Sequence, residues 1–229
     1  MLTLYKYCLL AFTPALKYYL SSRVKKGKEV ESRLSERYGQ SDIARPTGPL
    51  IWIHAASVGE LQSAIILIEK LKGPSIQFLI TTGTVTSAKL FEEKKIPNAI
   101  HQFVPLDHPK WVQRFLKHWT PDLGLWMESE VWPNLLLESK KLNIPVLLIN
   151  AKLSDRSFTH WNNFKSISKK LFPIFSMIIT QSKKDKLRFD VLGGKTVLGN
   201  NIKFNAAPLE YALTDYNTVE TSVKGRPLW

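Results

Sequence analysis

From residue 49 onward, short apolar runs alternate with stretches whose apolar residues recur at helical spacing, and this alternation leaves few architectures open. The apolar runs fall at 50–53, 76–81, 99–104, 123–127, 146–149, 177–180 and 196–198. Between them, 61–71, 109–119 and 183–192 carry apolar positions three and four apart, the period of a helix with one buried face. Strands that are apolar on both sides must be covered on both sides. The pattern therefore predicts an α/β domain: a Rossmann-like parallel sheet with helices on both faces. Pro109 and Pro133 suit first helical turns, where a missing N–H costs nothing, and Gly193-Gly194 suits a helix stop.

Polar residues gather just after the apolar runs. They are His54, Ser57 and Glu60; Thr81, Thr82 and Thr84; Asp107; Glu128 and Glu130; Asn150 and Lys152; Gln181 and Ser182; and Asn200. In a parallel sheet these carboxyl ends share one edge, where open α/β sheets bind ligands. Solvated loops make such an edge polar in part whatever the function.

The turn His54-Ala55-Ala56-Ser57-Val58-Gly59-Glu60 is the most informative of these. A carboxylate facing a crevice can take a proton from an attacking hydroxyl, which makes Glu60 a candidate general base. The same spacing also reads as a capping box, with Ser57 capping the helix and Glu60 bonding back to the Ser57 backbone N–H. Gly59 weakens a helical turn but lets a ligand approach the backbone. Spacing alone leaves both roles open.

Glu128 and Glu130 are two apart, so in an extended stretch they point the same way and could hold sugar hydroxyls. Their simpler role is to cap the helix starting near Pro133. No histidine stands near them at ligand spacing, which argues against a metal. The run Thr81-Thr82-Gly83-Thr84-Val85-Thr86-Ser87 offers hydroxyls and amides at a helix start, suited to phosphate or sugar oxygens as well as to plain capping. It is not a Walker loop, and no G-x-G-x-x-G occurs, so no nucleotide cofactor is expected.

Charge points to an anionic partner. The net charge is +13 and the isoelectric point about 9.7. The basic runs at 165–170 and 183–188 have little aromatic interleaving, which argues against a nucleic-acid surface. Cys8 is the sole cysteine, so an internal disulfide or a cysteine-rich zinc site is excluded. Residues 7–16 are apolar apart from Thr13, are bracketed by Tyr5, Tyr7, Tyr18 and Tyr19, and run into Arg23, Lys25, Lys26 and Lys28. That segment is about half the length a spanning helix needs and reads as an interfacial anchor on an anionic leaflet.

Six motifs in order resemble one family. They are the turn ending at Glu60, the run from Leu79 to Ser87, Met127-Glu128-Ser129-Glu130-Val131-Trp132-Pro133-Asn134, Asn150-Ala151-Lys152-Leu153-Ser154-Asp155-Arg156-Ser157, Gln181-Ser182, and Gly199-Asn200-Asn201-Ile202-Lys203-Phe204. The chain resembles the 3-deoxy-D-manno-octulosonic acid (Kdo) transferases of lipopolysaccharide synthesis. The resemblance implies the amino-terminal domain of a GT-B glycosyltransferase. It also implies inverting transfer of Kdo from CMP-Kdo to a glucosamine hydroxyl of the lipid A precursor, at the cytoplasmic face of the inner membrane. It places the catalytic base on Glu60 and acceptor binding on Ser57, Gly59, Thr82, Thr84, Glu128, Glu130, Asn150 and Lys152. Where Lys152 and Ser129 stand, the family commonly has arginine and threonine; lysine keeps the charge but lacks the bidentate fork.

The expected organisation is a membrane-associated segment at 1–45, an acceptor-binding domain at 46–204, and at 205–229 a linker that opens a donor-binding domain absent from this chain. A separately encoded carboxy-terminal half is the partner this division implies. The alternative is a non-catalytic membrane or glycolipid-binding remnant.

Overall fold

The computed structural model describes residues 1–205 and 213–225. The expected strand start at Arg226 to Trp229 lies outside the described residues. Seven strands form one parallel sheet in the order β3-β2-β1-β4-β5-β6-β7. They are β1 (Leu50–His54), β2 (Gln77–Thr82), β3 (Ala99–Phe103), β4 (Leu123–Met127), β5 (Val146–Ala151), β6 (Met177–Thr180) and β7 (Thr196–Leu198). The helices before the sheet are α1 (Leu2–Ala11), α2 (Thr13–Lys25) and the short α3 (Leu34–Arg37). Those between strands are α4 (Val58–Leu71), α5 (Val85–Lys94), α6 (Pro109–Trp119), α7 (Pro133–Lys141), α8 (Asp155–Asn163), α9 (Lys165–Leu171) and α10 (Lys183–Val191); α11 (Leu213–Val223) follows.

Alternation along the strands feeds two separate cores. Leu50, Trp52, Leu79, Trp126, Val146 and Leu148 pack with Val112, Phe115, Leu116 and Trp119 of α6, Leu135 and Leu136 of α7, and Phe189 of α10. Ile53, Phe78, Ile80, Leu125, Met127 and Ile149 pack on the other face, against Leu61, Ala64 and Ile68 of α4. Two of the buried tryptophans have matched donors: Trp52 Nε1 donates to Thr81 Oγ1 at 2.8 Å and Trp119 Nε1 to Gln102 Oε1 at 2.6 Å.

The amino-terminal segment is two helices rather than one, divided at Phe12 just before Pro14, and among the described residues no helix is long and apolar enough to cross a membrane. Leu4, Tyr7, Phe12 and Tyr18 are each more than 60% exposed, a dense apolar surface for one short segment. Tyr5 fastens α1 to the body by donating its hydroxyl to Asp107 Oδ2 at 3.0 Å, and Thr13 Oγ1 meets His108 Nε2 at 3.0 Å. Gly39 lets the end of α3 lie against α6. Its φ is +72°, and a Cβ there would stand 2.0 Å from the Trp111 carbonyl oxygen.

Candidate active site

The strand order sets the site. From β1 the chain winds out through β2 to β3, then returns so that β4 pairs with β1 on its free side. That reversal opens a crevice beyond the carboxyl ends of β1 and β4, the usual ligand position of open α/β sheets. The turn after β1 brings Glu60 to it, and the turn after β4 brings Glu128 and Glu130.

Glu60 stands in the first turn of α4 and is 8% exposed. Ser57 caps the helix by accepting from the Glu60 N–H. The reverse bond differs from the expected capping box: Glu60 Oε2 accepts from the Ala56 N–H at 2.9 Å, and Oε1 accepts from the Ser57 hydroxyl at 3.0 Å. The carboxylate thus reaches one residue beyond the cap, into the crevice wall. Burial pushes its pKa up to about 7, against the opposing pull of the Ala56 N–H, and the charges of Glu130 and Glu128 raise it as well. A carboxylate poised near neutrality is suited to take up a proton and release it again. At the end of β1, His54 is fully buried, and burial pushes its imidazole down to about 4, so it stays neutral, edge-on to the Trp126 ring.

Glu128 and Glu130 part company. Glu128 has a φ of +59°, so the strand has already ended there and the two side chains do not lie side by side. Glu128 is 7% exposed and sits between two ammonium groups, Lys152 Nζ at 2.6 Å and Lys203 Nζ at 3.3 Å. Glu130 is half-buried and accepts from Trp132 Nε1 at 2.7 Å. Neither caps α7. That task falls to Asp107, which accepts from the backbone N–H groups of Asn134 and Leu135 at 3.0 and 2.9 Å. Burial pushes Asp107 up to about 6, against the opposing pull of these bonds.

The other expected contacts divide in the same way. Ser57 is exposed and Gly59 half-buried at the mouth, so both border the crevice. Thr84 caps α5 by accepting from the Ser87 N–H. Thr82 differs from the expected acceptor contact in that its hydroxyl is buried against His101 Nε2 at 2.9 Å, a diagonal neighbour on β3. Asn150, with φ +56°, accepts from the Ile202 N–H at 3.1 Å and so holds the turn that carries Lys203.

Lys203 is the residue the sequence reading left out of its site, although it stood in a quoted motif. It follows the last strand, and only its approach to Glu128 and to Gly59, where a Cβ would lie 3.9 Å from Nζ, places it at the crevice. Lys152 and Lys203 remain about half exposed, so both can also meet an incoming anionic group.

A family model described as 3-deoxy-D-manno-octulosonic-acid transferase (kdotransferase) matches residues 32–206. The chain belongs to this Kdo transferase family. It is 38% identical to the 3-deoxy-D-manno-octulosonic acid transferase of Rickettsia bellii over 208 residues, 89% of this chain and 49% of that protein. It is 31% identical to the Haemophilus influenzae enzyme of the same name, over 98% of this chain and 54% of that protein. A probable mitochondrial 3-deoxy-D-manno-octulosonic acid transferase of Arabidopsis thaliana is 35% identical over 82% of this chain. The chain therefore spans about half the length of the curated relatives it matches. The residues matched by the Kdo transferase model include Glu60, Glu128, Lys152 and Lys203, the whole constellation at the crevice.

Proposed function

We propose that this chain is the acceptor-binding half of an inverting Kdo transferase in lipopolysaccharide synthesis. In this reading Glu60 takes the proton of a glucosamine hydroxyl of the lipid A precursor. The hydroxyl oxygen attacks the anomeric carbon of Kdo, the bond to the CMP phosphate breaks, and CMP departs with that electron pair. The observation that carries the reading is Glu60 itself: a buried carboxylate at the switch point of the sheet, titrating near 7. Lys152 and Lys203 give the acceptor's phosphates a cationic border, with Ser57, Gly59, Thr84, Glu130 and Asn150 around them. The CMP part of the donor is assigned to the half of the relatives' length that this chain does not span. The exposed aromatic surface of α1 and α2 and the net charge of +13 support docking on the anionic cytoplasmic face of the inner membrane. A poised buried carboxylate does not favour the non-catalytic alternative.

The test joins the chain to a donor-binding domain of a relative and compares Glu60→Gln with the parent. Transfer is expected to fall at least about 100-fold while acceptor binding is kept and the fold is no less stable than the parent's. Transfer within a few-fold of the parent would remove Glu60 from the mechanism.

A further inference from the structure

We propose that Arg37 is a positioning residue for the Glu60 carboxylate, acting through the two turns beside it; the catalytic meaning of this rests on the reading of Glu60 as base. Arg37 ends α3 and is only 3% exposed. Its guanidinium donates to Glu29 Oε2 at 2.9 Å and Oε1 at 3.2 Å, to the Val104 carbonyl at 2.9 Å and to the Gly83 carbonyl at 2.7 Å. Gly83 lies in the turn between β2 and α5, and its own N–H donates to the Ala56 carbonyl at 3.1 Å. The Ala56 N–H donates in turn to Glu60 Oε2.

Ala56 is therefore clamped on both sides, its carbonyl by Gly83 and its N–H by Glu60. There is little slack between the turns, since a Cβ at Gly83 would come within 3.0 Å of the Ala56 oxygen. A guanidinium suits this place because its planar fork can grip a carboxylate with one edge and carbonyls with the other; an ammonium cannot hold all of them. Glu29, which orients Arg37, is held in turn by Arg23 Nε of α2 at 2.8 Å. The assembly thus reaches from the basic amino-terminal helix to the crevice.

Without the guanidinium the Gly83 turn relaxes, the Ala56 N–H drifts, and the ionised form of Glu60 loses a hydrogen bond. The other charges facing Glu60 are Glu128 and Glu130, with Lys152 and Lys203 neutralising Glu128. They stand on turns that Arg37 does not bond, so they remain in place.

The experiment is a ¹³C-carboxyl NMR titration of the 229-residue chain, with the Glu60 signal assigned by its loss in Glu60→Gln. Arg37→Lys keeps the charge and removes the fork. It is expected to raise the Glu60 midpoint by about one pH unit, the worth of one charge-assisted bond, and to speed Ala56 amide exchange about tenfold. Should that variant not fold, the double change Arg37→Met with Glu29→Met leaves no buried charge unpaired and gives the same readout. Asp190, on α10 and bonded to Lys186 and Thr196, should keep its midpoint in either. An unchanged Glu60 midpoint and unchanged Ala56 exchange would overturn the proposal, whatever the melting temperature does. No transfer reaction is involved, so this failure is separate from failure of Glu60 as base.

Discussion

Glu60→Gln should make the protein more stable above neutrality, which is the opposite of what a purely architectural cap predicts. Burial raises the Glu60 pKa from an ordinary 4.5 to about 7. The folded state therefore binds this proton more tightly than the unfolded state. The parent's stability must fall as pH rises from about 4.5 to about 7 and then level off. At about 1.4 kcal/mol per unit, the ionised carboxylate costs the folded state about 3 kcal/mol above pH 7. Glutamine carries no such cost. Its carbonyl can accept from the Ala56 N–H and its amide can donate to the Ser57 hydroxyl, so both observed bonds survive in neutral form. Allowing about 1 kcal/mol for the weaker neutral bonds, the variant should gain about 2 kcal/mol at pH 8. That is a rise in Tm of roughly 4–8 °C for a chain of this size. The gain should vanish at pH 4. Thermal and urea unfolding followed by circular dichroism from pH 4 to 8.5 measures it. A variant less stable than the parent at pH 8, or a gap that does not change between pH 4.5 and 7, would refute the reasoning.

Gly39→Ala should cost more than about 3 kcal/mol, because it adds a positive-φ penalty to a Cβ placed 2.0 Å from the Trp111 carbonyl; calorimetry reads it as a large fall in Tm. Lys203→Ala leaves Glu128 with Lys152 alone and should weaken binding of a phosphorylated glycolipid acceptor about tenfold, measured by titration calorimetry, with little change in Tm. Replacing Tyr7, Phe12 and Tyr18 together by serine should cut partitioning into anionic vesicles at least about tenfold in a flotation assay, and the parent's binding should weaken with salt; equal binding of parent and variant would end the docking proposal.

The strands were legible to a residue or two, whereas the helix read from Leu61 starts three residues earlier, at Val58. The strands at 123–127, 177–180 and 196–198 and the helix at 109–119 have the bounds read from periodicity, since apolar spacing is itself what buries one face of an element. Where reading and structure part, the cause is a contact between distant segments. Thr82 looked like a crevice residue, but its hydroxyl turns to His101, 19 positions away. The cap of α7 was sought in Glu128 or Glu130 nearby and comes instead from Asp107, across a loop. Glu128 and Glu130 looked like a pair because extended geometry was assumed, and one left-handed residue separated them. Lys203 had no signal beyond its motif, because its neighbour at the crevice is 75 positions away.

Sequence by itself determined the class of fold and the family, since both are written in local patterns: apolar period, turn residues and ordered motifs. It also determined that Glu60 opens a helix beside a strand end. It could not decide between cap and base, because the difference is the surroundings of the carboxylate rather than its spacing. Only the tertiary structure decided that β4 returns beside β1, burying Glu60 near Glu128 and Glu130 and raising its pKa. Strand order is a non-local property, set by which faces can be covered together. Desolvation depends on everything packed around a group, and neither quantity can be read from neighbours along the chain.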